Sequence, residues 1–187
     1  MSRRRILFAF AAALLAAIAW PAVAFIERLT PLKNVIDDSD AIFVATVDRL
    51  DPARPAAVLK VGRALKGKAG TERLPVNLAG DKEGHSPKLL ERLAEGLPVV
   101  VFATDLGKKR LALAYSDGTW FQIVGQPDGK DVRWAFTHCE VYLRRTFKGS
   151  TADLETAVAD ALSGKTAAPK PDPKEPPGLG PVVKKSE

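Results

Sequence analysis

Leu97-Pro98-Val99-Val100-Val101-Phe102-Ala103-Thr104 decides the fold. Its centre, Val99-Val100-Val101-Phe102, is apolar at four successive positions. A strand with one wet face alternates apolar and polar residues, so an unbroken run reads as a strand buried on both faces. Working outward, Arg110 to Ser116 is a second strand downstream, and Asp117-Gly118 is a favoured hairpin turn. Thr119 to Val124 and Val132 to Phe136 follow as strands, joined through Gln126-Pro127-Asp128-Gly129.

Upstream the period changes. Ser86 suits a helix cap, Pro87 the first helical position, and Leu89, Leu90 and Leu93 share one face. This predicts a short helix from Pro87 to about Glu95, closed by Gly96. Before it come three strands: Ala41 to Arg49, Ala56 to Leu65, and Glu72 to Leu78. Asp51-Pro52-Ala53-Arg54-Pro55 and Lys66-Gly67-Lys68-Ala69-Gly70 are the loops between them. Phe25 to Ser39 reads as a lead-in, with Thr30-Pro31 breaking any helix.

After the last strand, Cys139, Tyr142, Leu143, Thr146 and Phe147 recur at helical spacing. Ser150 and Asp153 form a capping box ahead of the stripe Leu154, Ala157, Val158, Ala161 and Leu162, and Gly164 ends that helix. From Lys165 the chain is rich in proline and charge, which predicts a disordered or extended tail over 165–187. The expected architecture is mainly β with α: a small OB-like Greek-key barrel, a short helix between its third and fourth strands, an extra hairpin and C-terminal helices. Residues 25–164 form its single globular domain.

Three local phrases carry a family likeness: Ser39-Asp40-Ala41-Ile42-Phe43-Val44-Ala45-Thr46-Val47, Leu65-Lys66-Gly67, and Gly96-Leu97-Pro98-Val99-Val100-Val101-Phe102-Ala103. Over roughly Asp38 to Ser116 the chain resembles the exported netrin-like, or TIMP-like, OB-fold modules. The whole chain is also similar to exported bacterial proteins. The resemblance implies a closed barrel used for recognition. It does not bring metalloprotease inhibition, because that mode needs an N-terminal cysteine and Phe25 would begin the mature chain. The disulfides of that family are missing too.

The N-terminus reads as a secretory signal peptide over residues 1–24. Arg3, Arg4 and Arg5 supply the positive start, Ile6 to Trp20 the apolar run, and Ala22-Val23-Ala24 the small-residue cleavage site. The run has about 15 residues, short of the roughly 20 that span a bilayer. The expected location is therefore extracytoplasmic, periplasmic or secreted, after cleavage near Ala24. The alternative is an uncleaved signal anchor that tethers the domain to a membrane.

Charge narrows the partners. The chain has 28 Lys+Arg against 22 Asp+Glu, a net +6, which falls to +3 once the three leader arginines are removed. The remaining bases are dispersed, so no concentrated stripe points to nucleic acid. Cys139 is the one cysteine, which excludes an internal disulfide.

Two sets of residues invite a functional reading. Tyr115, Trp120 and Trp134 are aromatic residues on neighbouring strands, suited either to core packing or to a stacking platform for a glycan, a peptide or another cell-envelope protein. Asp81, Glu83 and His85 lie in one loop and offer two carboxylates and an imidazole to a metal, or simply a polar loop before a helix. His138 and Cys139 are adjacent, but neighbours on a strand point to opposite faces, so they make no nucleophile pair. No phosphate loop, zinc-protease motif or nucleophile elbow is present, and no cofactor is implied. The sequence therefore leans toward a non-catalytic binding module, with a hydrolase or metal-dependent enzyme as the alternative.

Overall fold

The computed structural model describes residues 29–183, except residues 82, 108 and 130. The leader and its cleavage site lie outside the described residues. Within them, the strand read as doubly covered is β4 (Pro98–Asp105), and Val99 to Phe102 are almost wholly buried. It pairs with β1 (Ala41–Asp51) on one side and β5 (Arg110–Ser116) on the other. The remaining strands are β2 (Ala56–Lys66), β3 (Arg73–Asn77), β6 (Thr119–Asp128) and β7 (Asp131–Cys139). They close into a barrel in the order β1-β2-β3-β7-β6-β5-β4. Every pairing is antiparallel except the seam between β3 and β7, which is parallel and only two residue pairs long. The fold is thus an OB-like barrel with short helices, enlarged by the β5–β6 hairpin.

Alternation explains why the centre of β4 is apolar at every position. Val99 and Val101 face the barrel interior with Phe43, Ala45, Val47, Leu59, Phe121 and Phe136. Val100 and Phe102 face outward into a second core with Ile42, Tyr115 and Trp120. That outer core is covered by α1 (Leu32–Asp37) and α3 (Thr151–Leu162), through Leu32, Val35, Ile36, Leu154 and Val158. Over Val99 to Phe102 neither face of β4 reaches water, so neither needs a polar residue there.

The caps follow local chemistry. Ser150 and Asp153 form the expected reciprocal box at the start of α3, a device worth about 1 kcal/mol. Asp117 and Gly118 both have positive φ, as a tight hairpin requires, and the Asp117 carboxylate accepts from Thr151 N and Oγ1. The phrase Leu65-Lys66-Gly67 also acquires a physical cause. Lys66 Nζ donates to the terminal carbonyls of α1, at Ile36 and Asp37. Gly67 has a φ of 61°, and a Cβ there would lie 2.2 Å from Asp40 O.

Several expectations are corrected. Pro31 does not break a helix but stands at the N-cap of α1, where no backbone donor is needed. The helix after β3, α2 (Ser86–Leu90), stops short of Glu95, because the chain beyond it turns back to join β1: Gly96 N donates to Val47 O and Val47 N to Leu97 O. Cys139 belongs to β7, held by its pairing with Phe121, and only Val141–Arg145 forms a 3₁₀ turn. The tail is not disordered over its described part. Asp172 N donates to Arg145 O, Gly178 N to Val141 O and Val183 N to Glu91 O. Arg144 and Lys148 both pair with Glu175, and Leu179 packs against the barrel core. The prolines keep it extended; the ion pairs and backbone bonds fix it to the body as a strap. Among the described residues no helix is long and apolar enough to cross a membrane.

Candidate functional site: the open end of the barrel

The two ends of the barrel differ. Where β3 and β7 finish and β4 begins, α2 (Ser86–Leu90) and the turn after it drive Leu89 and Leu93 into the interior beside Leu78 and Cys139. That end is plugged. At the other end lie the start of β1, the β2–β3 loop, the β4–β5 turn and the start of β7, and no helix covers it among the described residues.

A cavity of about 180 Å³ opens there. Its apolar lining comes from Phe43, Leu74, Ala69, Ala103 and Trp134, and its rim from Asp40, Lys68, Asp105 and Arg110. Two further hollows share Trp134 and run along the seam, about 430 Å³ beside Pro55 and Val76 and about 500 Å³ beside Arg73 and Arg133. The cause is in the pairing. β3 and β7 meet only at Val76–Trp134 and Asn77–Ala135, so the strands are unpaired toward the mouth. Pro75 lies just before this pairing, and a proline offers no ladder donor.

Trp134 is held in place by its neighbour. It pairs with Gly125 of β6, and a Cβ on Gly125 would sit 3.1 Å from the indole ring. The indole is 6% exposed. Among the described residues its N–H has no acceptor, and the ring stands where the three hollows meet.

The rim acids, by contrast, each hold a backbone N–H. Asp40 Oδ2 accepts the Asp105 backbone N–H at 2.8 Å. Asp105 Oδ1 accepts from Gly107 N at 2.8 Å, and its Oδ2 lies 3.4 Å from Arg110 Nε. Lys68 is exposed and makes no ion pair or hydrogen bond with a described residue.

The aromatic platform expected from sequence does not assemble. Trp120 is buried in the outer core, where Nε1 donates to Phe147 O at 3.0 Å and the ring packs against Tyr115 and Phe102. Tyr115 is fully buried, with its hydroxyl donating to Gly149 O. Burial pushes its phenol above the ordinary tyrosine range. Trp134 lies on the opposite side of the sheet, inside the barrel. The structure thus separates Trp134 from the other two and brings it alone to a cavity.

The loop residues also part company. Asp81 turns its carboxylate to the backbone: Oδ1 accepts from Glu83 N at 2.9 Å and Oδ2 from Ser86 N at 2.6 Å. Partial burial raises its pKa, but the hydrogen bonds from Ser86, Glu83 and His85 outweigh that and leave it below the usual value. His85 Nδ1 accepts the Cys139 backbone N–H at 3.1 Å, and Glu83 lies 3.5 Å from the same nitrogen. These are the contacts of a helix cap and a plug, and among the described residues no group of three such side chains can hold a metal. His138 faces Glu140, 2.8 Å away. Cys139 is buried, and that burial pushes its thiol up to about 12, so it is no nucleophile at neutral pH.

Sequence reasoning missed Phe43, Leu74, Lys68 and Arg110 as one site, because they come from separate strands and loops. A usable signal was Gly125, a glycine inside a strand pattern, which marks a close approach by another group. Comparison of the chain with protein-family models, curated proteins and solved structures found no match.

Proposed function

We propose that this protein is an exported, non-catalytic recognition module of the OB-like, netrin-like type, and that the open end of its barrel takes the ligand. What carries the reading is Trp134: a nearly buried indole, seated on a glycine, whose N–H has no partner among the described residues at a cavity of about 180 Å³. A core tryptophan normally satisfies its N–H, as Trp120 does with Phe147 O. The difference supports a binding role for one and a packing role for the other. The plugged opposite end and the engaged carboxylates of Asp40, Asp81 and Asp105 fit recognition better than catalysis.

Two measurements test this reading. The mass of the protein recovered from outside the cytoplasm should correspond to a chain starting at Phe25; a chain starting at Met1 sinks export by cleavage. Small apolar probes such as benzyl alcohol should move the Trp134 indole N–H signal in a ¹H–¹⁵N spectrum and leave that of Trp120 in place. A Trp134 signal unmoved by any such probe rejects the mouth as a site.

A further inference from the structure

Resting on the mouth being the site, we infer that its ligand is a small amphipathic carboxylate: one apolar group of about the size of a phenyl ring, carrying an acid that meets Lys68 and Arg110. Size sets the first half. A cavity of about 150 Å³ accepts a benzene-sized ring, and this one is about 180 Å³ with Phe43, Leu74 and Trp134 in its walls. Within that cavity a ring or a short branched chain fits, and anything longer would have to run on into the seam hollows that share Trp134.

The donor and acceptor inventory sets the second half. Each carboxylate at the rim already accepts a backbone N–H, Asp40 from Asp105 and Asp105 from Gly107. Thr104 Oγ1 donates to Asp38 O. Among the described residues the donors left without an acceptor are the Lys68 ammonium, the Trp134 indole N–H, and the guanidinium nitrogens of Arg110 other than Nε, whose contact with Asp105 is long at 3.4 Å. Free donors at an apolar mouth favour a ligand rich in acceptors, and a cation among those donors favours an anion.

Such a group has two sources, a free small acid or the C-terminal residue of a peptide with an apolar side chain. One titration separates them and tests the class. ¹⁵N-labelled protein is titrated with 3-phenylpropionate, its amide, and acetyl-Gly-Gly-Phe as free acid and as amide, following the Trp134 indole signal. Both acids should bind, the amides about tenfold or more weaker, as expected for loss of a charge-assisted hydrogen bond. Lys68→Gln should erase most of the difference between acid and amide without changing the dispersion of the spectrum. The tighter of the two acids identifies the source. Equal binding of acid and amide overturns the carboxylate and leaves the mouth as the site. Silence of Trp134 toward every probe, with a dispersed spectrum, overturns both.

Discussion

Gly125 and Trp134 face each other across β6 and β7, and the indole fills the space that a side chain at 125 would need. This one pairing ties the register of the sheet to the shape of the mouth.

Adding a methyl group tests that tie. Gly125→Ala places its Cβ 2.6 Å from Val132 Cγ1 and 3.1 Å from the indole. Overpacking of this kind costs about 1–3 kcal/mol. Chemical denaturation should show that loss, and the Trp134 indole signal should shift while that of Trp120 stays. An unchanged Trp134 signal would mean that the ring does not lean on Gly125.

The strap offers a second test. Gly180 is buried, its N–H donates to Thr119 Oγ1, and a Cβ on it would sit 2.0 Å from Asp117 O. Gly180→Ala should therefore release the strap from the turn at Asp117. Hydrogen exchange at the amides of Gly178 and Val183 should accelerate at least tenfold, with the β4 amides little changed. Equal exchange in both proteins would show that the strap is not held there.

The same strap should respond to pH at both extremes. Hydrogen bonds from Lys148 and Arg144 hold the Glu175 carboxyl below its ordinary value of 4.5. A lowered folded-state pKa stabilises above the unfolded value, and the benefit disappears as pH falls through the folded one. Lys148 is raised above 10.5 by its hydrogen bond to Glu175, so its share is present below 10.5 and is lost as pH rises through its folded value. Strap amide protection should be flat at neutral pH and fall below pH 4.5 and above pH 10.5. Glu175→Gln should remove the acid limb. Persistence of that limb in the variant would assign it to another carboxylate.

Asp81 separates a structural loop from a metal site. Asp81→Ala leaves the backbone N–H groups of Glu83 and Ser86 without their acceptor, a cost of about 1–2 kcal/mol for a lost cap. Asp81→Asn keeps an acceptor and should cost less. A chelator should leave the melting temperature of the unaltered protein where it was; a clear drop would restore the metal reading.

The buried Cys139 thiol, pushed up to about 12 by that burial, should be inert to a thiol reagent at pH 8 in the folded protein and react at once in denaturant. Fast labelling of the native form would contradict its place in the core.

The local pattern was enough for the strands, the hairpin at Asp117-Gly118 and the capping box at Ser150, because each depends on a few consecutive residues. It was also enough to recognise β4 as covered twice. It could not say what covers either face. Alternation puts Trp120 and Trp134 on particular sides of their strands, but only the docking of α1 and α3 on the outside makes Trp120 a core residue. Only the short β3–β7 seam leaves Trp134 at a cavity. Composition alone suggested a loose tail, since prolines and charges cannot build a core; Arg144, Lys148 and Thr119, distant in sequence, hold it down. Periodicity determined which side chains share a face. Which faces meet, and which donors are left without acceptors, was decided by contacts between residues far apart along the chain.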